Sequence, residues 1–236
     1  MAPKAKSKLV RGVFDSVAGN YDLMNDLMSL GVHRFWKASM IDWLAPQRGG
    51  RFLDVAGGTG DIARLILRRV DQQAEMTLVD INAAMIEQGR DRALDGGWGR
   101  EIDWIVGDAE ALPFAANSFD YFTIAFGIRN VTHIEQALAE AHRVLRPGGR
   151  FLCLEFSSVA LPVLNRVYDT YSFSVLPALG QWVARDRESY VYLAESIRRF
   201  PDQTTFQSLI QRQGLERASY RNLSGGIAAL HSAWKL

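Results

Sequence analysis

The chain has 236 residues, 48% of them apolar, with 27 Lys and Arg against 26 Asp and Glu for a formal net charge of +1. That length suits one large α/β domain better than two full ones, and the apolar share supplies a real core. The near-balanced charge excludes the basic footprint of a nucleic-acid binder.

In chain order, the first eight residues are basic and lack the apolar stretch of a secretory signal. Residues 9–45 predict an N-terminal helical cap. Phe14, Tyr21, Met24 and Met28 recur there at three- to seven-residue steps, and most of that stripe reads as packing. Pro46 and Gly49-Gly50 mark a break. Strands are then expected at 51–55, 76–80, 102–106, 119–126 and 150–156, alternating with helices at 61–70, 83–94 and 134–145. Such alternation implies βαβ units, a parallel sheet and right-handed crossovers. The single cysteine, Cys153, lies in the last of these strands, so no internal disulfide forms and a packed core thiol is expected.

Residues 157–200 break the pattern and read as an insertion capping the sheet, with a helical stretch at 185–200. The longest apolar candidate for a membrane span, 171–184, is too short and contains Pro177 and Gly180. A soluble cytoplasmic protein is therefore expected. A helix at 204–213 and two strands at 216–223 and 226–234 follow, the strands joined by Ser224-Gly225-Gly226. The expectation is a single domain over 1–236: the cap at 9–45, a cofactor-binding core at 51–156, a substrate-side insertion at 157–200, and a C-terminal helix and hairpin at 201–236. Its architecture would be a Rossmann-like α/β fold. A mainly parallel seven-stranded sheet would end in an antiparallel hairpin, with helices on both faces.

The chemistry gathers at the carboxyl ends of the strands, where ligands of open parallel sheets bind. Asp54-Val-Ala-Gly-Gly-Thr-Gly60 follows the first strand. Gly57, Gly58 and Gly60 allow a tight turn and close approach to a ligand, and the free N–H groups of the next helix face it. Alone, this loop fits a nicotinamide or flavin enzyme as well as a methyltransferase, because Gly58-Thr-Gly-Asp-Ile-Ala63 also matches the relaxed dinucleotide fingerprint. Asp80 ends the second strand, twenty residues after Gly60, where a carboxylate accepts both ribose hydroxyls. The acidic loop Gly107-Asp-Ala-Glu-Ala-Leu-Pro-Phe114, followed by Asn117-Ser-Phe-Asp120, is characteristic of class I methyltransferases, with Asp108 set to accept from an adenine amino group. As a turn residue only, Asp108 would need no ligand.

Longer motifs narrow the reading. Tyr21-Asp-Leu-Met-Asn-Asp-Leu-Met-Ser-Leu-Gly-Val-His-Arg-Phe-Trp-Lys37 and the run from Arg143 to Ser157 resemble the two signatures of the UbiE family, the ubiquinone/menaquinone biosynthesis C-methyltransferases. The cofactor loop, including Ala56 in place of a first glycine, Phe126-Gly-Ile-Arg-Asn-Val131, and the stretch from Asn222 to His231 are similar as well. Arg146 stands where lysine is common. The resemblance implies S-adenosyl-L-methionine as cofactor, S-adenosyl-L-homocysteine as product and no metal. It implies methylation of a ring carbon of a polyprenylated benzoquinol or of demethylmenaquinol, leaving the ring type open. Thr59, Asp80, Asp108 and Ala109 match the family's cofactor positions, and Asp54 and Gly58 belong to the same loop. Ala125 stands where serine is frequent, so a hydroxyl contact is lost and a backbone contact remains.

For the reaction, a ring hydroxyl must lose its proton. Arg129 is the first candidate to stabilise the phenolate, Asn130 to orient the hydroxyl, and Tyr21 to bond the ring or close over the cofactor. His33 and His133 are titratable alternatives. Arginine is itself a poor base. The polyprenyl tail needs an apolar groove, for which Phe14, 168–182 and the Tyr190/Tyr192 pair are candidates, although they equally suit a second small core. So apolar a substrate suggests peripheral contact with the inner membrane or with other quinone-biosynthesis enzymes. The oligomeric state stays open, a homodimer included. Rival readings are a methyltransferase with another acceptor, a nicotinamide oxidoreductase, and a non-catalytic cofactor-binding subunit.

Overall fold

A computed structural model describes residues 29, 31–99, 102–159 and 187–236. Seven strands form one sheet: β1 (Arg51–Val55), β2 (Glu75–Asp80), β3 (Ile102–Val106), β4 (Phe119–Ala125), β5 (Leu145–Phe156), β6 (Glu216–Leu223) and β7 (Ala228–Trp234). Their order is β3-β2-β1-β4-β5-β7-β6. The first five pair in parallel, and β7 runs antiparallel between β5 and β6. The described helices are α1 (His33–Leu44), α2 (Asp61–Arg69), α3 (Ala83–Asp95), α4 (Ile134–Val144), α5 (Arg187–Arg199) and α6 (Gln203–Arg212).

The sheet separates two cores because side chains alternate along each strand. On one face Phe52 and Leu78 meet Met40 of α1 and Ile66 of α2. On the other, Leu53 and Phe151 meet Leu138 of α4 and Phe206 of α6. Central strands covered on both faces need continuous apolar runs, and β1 and β2 are buried along nearly their whole length. Cys153 lies in the second core, fully buried, and burial pushes its thiol well up.

The expected strands and helices appear with boundaries within a few residues, except at β5. Pro147-Gly148-Gly149 reads as a turn before the strand, yet the strand starts at Leu145. Leu145 pairs with Phe119 and Arg150 with Tyr121, so Arg146 to Gly149 bulge out against Asp120, whose Oδ1 accepts from Arg146 at 3.1 Å. Pro147 has no N–H to lose, and Gly148 takes φ 81°, which favours glycine. Gly148 and Gly149 then exchange hydrogen bonds of 2.7 and 3.0 Å with Lys235, at the chain's other end. The final hairpin turns through Ser224–Gly226, and β7 begins at Ala228, slightly later than expected.

Tyr21, Phe14, Met24 and Met28 of the cap, and 168–182 of the insertion, lie outside the described residues, as does the side chain of Tyr190. Of the insertion, α5 is described, and it packs against the short 3-10 turn Ile128–Asn130 that follows β4. Among the described residues no helix is long and apolar enough to cross a membrane.

Candidate active site

The strand order reverses between β1 and β4, so their carboxyl ends diverge into a crevice. β1 runs into Ala56-Gly57-Gly58-Thr59-Gly60 before α2 begins. The loop lies flat on β2: a Cβ at Gly57 would stand 2.6 Å from Leu78 Cγ. Ala56 takes φ 50° and Phe126, just after β4, φ 56°. A left-handed conformation costs a non-glycine residue about 1 kcal/mol, so both sides of the crevice store some strain.

Asp80 is fixed by main-chain donors. Its Oδ2 accepts from Gly58 N and its Oδ1 from Asn82 N, each at 2.9 Å. Asn82 in turn caps α3 by accepting from Ala84 N and Met85 N. Each Asp80 oxygen keeps capacity for a second hydrogen bond. Burial pushes its pKa up, and the donations from Asn82 and Gly58 hold it back. Asp108 turns the chain after β3, its Oδ1 accepting from Glu110 N at 2.9 Å, while the residue stays exposed. Gly58, Asp80, Met85, Asp108, Ala109 and Asn130 all line one cleft of about 850 Å³, its open mouth included.

Asp54, Thr59 and Ala125 line a second, smaller cavity of about 330 Å³ together with Lys37 and Asp61. Ala56 and Phe126 line both cavities. Asp54 is fully buried. The parallel register sets it opposite Thr123, whose Oγ1 donates to Asp54 Oδ1 at 2.8 Å. Its Oδ2 is buried with no hydrogen-bond partner among the described residues. Burial raises the Asp54 pKa to about 7, against the opposing pull of Thr123 and Lys37. Both cavities therefore offer acceptors suited to hydroxyl, amino and ammonium donors. Among the described residues no group of three or more His, Cys, Asp or Glu side chains could hold a metal ion.

The far wall is built differently. Arg129 is buried, and its Nη1 donates to Glu155 Oε1 at 2.7 Å and to the carbonyl of Phe126. Its guanidinium lies 5.5 Å from the centre of the Phe156 ring. Burial pushes the Glu155 pKa up, and Arg129 together with the Phe156 N–H pulls it down. The structure thus sets the guanidinium, expected from the sequence to act on the reacting ring, beside Glu155 and the Phe126 carbonyl. Among the described residues the cleft lining does not include Arg129, and Glu155 compensates its charge. Asn130 does line the cleft, and its Nδ2 is buried with no partner among the described residues. Its Oδ1 lies 3.5 Å from the Tyr192 hydroxyl of α5. Of the histidines, His33 is buried against Ser29, and His133 sits outside, 2.7 Å from Glu110.

Sequence reasoning gave no role to Glu155 or Lys37. The available signals were a lone acid in the apolar run Phe151-Leu-Cys-Leu-Glu-Phe156, and a lysine four residues after His33 on the buried face of α1.

A switch-point crevice, a glycine loop on β2 and carboxylates after β2 and β3 define the Rossmann-like methyltransferase class. Solved methyltransferases share the fold. A SAM-dependent methyltransferase of Thermotoga maritima aligns with TM-score 0.66 at 20% identity, over 96% of this chain and 100% of that one. The phosphoethanolamine N-methyltransferase 2 of Haemonchus contortus, solved with S-adenosyl-L-methionine, aligns with TM-score 0.63 at 14% identity, over 85% and 52%. The model of the ubiE/COQ5 methyltransferase family matches residues 2–235, and the chain belongs to that family. It is 58% identical to the "Ubiquinone/menaquinone biosynthesis C-methyltransferase UbiE" of Paracoccus denitrificans, over 100% of this chain and 94% of the relative. The protein of the same name from Brucella abortus is 57% identical over 98% of this chain and 87% of its own length.

Proposed function

We propose that the protein is an S-adenosyl-L-methionine-dependent C-methyltransferase. Its substrate is a polyprenylated benzoquinol or demethylmenaquinol, methylated on a ring carbon. The 58% identity to the Paracoccus denitrificans relative over the whole chain carries this reading. The Asp80 carboxylate supports the cofactor class, because both its oxygens are held by main-chain N–H groups in the cleft.

When bound, the cofactor supplies an electrophilic methyl group on a sulfonium. Asp80 would accept the ribose hydroxyls, Asp108 the adenine amino group, and Ala109 would pack beside the base. Gly58 and Thr59 form the loop beneath, with Asp54 and Ala125 at the adjoining cavity. The chain's remaining task is to ionise a ring hydroxyl and hold the ring in line, since ionisation makes the neighbouring ring carbon nucleophilic. The Nδ2 of Asn130, buried without a partner among the described residues, is the proposed donor for the ring oxygen. Arg129, paired with Glu155, is the proposed stabiliser of phenolate charge, and Tyr21 the proposed residue to bond the ring or close over the cofactor. The polyprenyl tail implies peripheral contact of a cytoplasmic enzyme with the inner membrane or with other quinone-biosynthesis enzymes. A liposome flotation assay reads that contact directly.

The function is tested by methyl transfer to short-tailed benzoquinols, naphthoquinols and simple phenols. Preference for a quinol supports the reading, and equal rates on plain phenols sink it. Asn130→Ala should lower turnover about 100-fold, the size of a lost oxyanion donor, while S-adenosylhomocysteine affinity stays unchanged by calorimetry.

A further inference from the structure

The chain as a whole carries a formal net charge of only +1, yet its cations are unevenly spread. A groove of about 820 Å³, its open mouth included, lies among α1, α2 and α3. Arg34, Lys37, Arg64, Arg68 and Arg92 line it, and Asp61 is the single acid among the described lining residues. That acid is already matched. Lys37 Nζ donates to its Oδ2 at 2.7 Å, and Arg92 approaches its Oδ1 at 3.3 Å. Arg64 and Arg68 stand one turn apart on α2, the Arg64 guanidinium 5.9 Å from the centre of the Trp98 ring and Arg68 exposed. The described lining holds no other carboxylate to offset them, so the groove keeps a cationic surplus.

Phe35 lies in the first turn of α1, next to Arg34. It is 75% exposed, the most exposed large apolar side chain among the described residues. A single exposed apolar residue is ordinary. One set beside a cluster of cations is the pattern of a face that lies on a charged bilayer, where cations meet phosphate and the ring enters the acyl boundary.

We propose that the start of α1, with Arg64 and Arg68 of α2, docks on an anionic lipid surface. The cations meet lipid phosphates, and Phe35 enters the layer beneath them. This rests on the reading of the substrate as a polyprenylated quinol, whose tail keeps it in a bilayer. The groove adjoins the site: Lys37 and Asp61 line it and also line the smaller cavity at the cofactor loop. Docking through this face holds the site close to the lipid that carries the ring.

The test is co-sedimentation of the full chain with two kinds of vesicle, phosphatidylcholine alone and phosphatidylcholine with phosphatidylglycerol in equal parts. The protein should bind the anionic vesicles, and added salt should weaken that binding. Arg64→Glu together with Arg68→Glu should cut it about tenfold or more, the effect of basic residues at a lipid surface. Phe35→Ser should cut it about tenfold, the worth of an aromatic ring leaving water. All these variants should keep their rate of methyl transfer to a short-tailed quinol in vesicle-free solution. Where the charge-reversed protein does not fold, Arg64→Gln with Arg68→Gln serves, with a smaller loss in the same direction. Unchanged binding in the variants, as attachment through Lys4, Lys6 and Lys8 alone would give, overturns the proposal. So does equal binding to both vesicles, or no binding by the unaltered protein, which leaves the groove to an acidic protein surface. Failure of the unaltered protein to methylate the short-tailed quinol sinks the quinol reading separately, whatever the vesicles show.

Discussion

At the end of β2 a carboxylate is held by main-chain donors: Asn82 N meets Asp80 Oδ1 and Gly58 N meets its Oδ2. After β4 and along β5 the contacts run between side chains, Arg129 with Glu155 and Asn130 with Tyr192. The first wall places an anionic group with main-chain donors, which cost no side-chain ordering. The second spends a buried ion pair, which is stabilising only while complete. Groups met by backbone geometry are placed by the fold itself, while groups met by side chains can change with single substitutions.

The comparison predicts unequal penalties. Glu155→Ala strands the Arg129 guanidinium and should cost about 3–5 kcal/mol in chemical denaturation. A loss near 1 kcal/mol, the cost of a missing helix cap, would put the two walls on the same footing. Asp54 should show itself through pH. Its folded pKa, about 7, lies above the ordinary 3.8, so its contribution is full below about pH 4 and is lost as pH rises to about 7. At about 1.4 kcal/mol per pH unit, the cofactor-free protein should lose up to about 4 kcal/mol relative to Asp54→Asn across that window. Parallel pH–stability curves for the two proteins would contradict the buried, protonated acid. Asp80→Ala should have the smallest effect on folding, because Gly58 and Asn82 line the cleft, where water entering it can replace the lost carboxylate. Its effect is on binding: about a 10- to 100-fold weaker S-adenosylhomocysteine titration, the worth of hydrogen bonds to a charged group. Undiminished affinity would remove the ribose assignment.

What the sequence made legible follows the same division. β1 begins and ends where its apolar run and glycines place it, and Asp80 sits at a countable distance from the loop, because both are local patterns. Glu155 was opaque: one acid in an apolar strand has no periodic signature. Its partner depends on the β4–β5 register that sets Ala125 beside Leu154. Lys37 was hidden likewise, since Asp61 lies 24 residues on. Pro147-Gly148-Gly149 carries true turn chemistry, and only its pairing with Lys235 makes it a bulge within a strand. Arg129 stands in a motif legible in the sequence, whereas its partner Glu155 lies 26 residues on, in another strand.

The lining that the two cavities share at Ala56 and Phe126 has a kinetic consequence. A ligand reaching both cavities behaves as a chelate: each end tethers the other at an effective concentration of about millimolar, the value for short flexible links. Tight binding then needs no strong contact anywhere. Such a ligand also lets go one end at a time, departing by two small steps in place of a single large one.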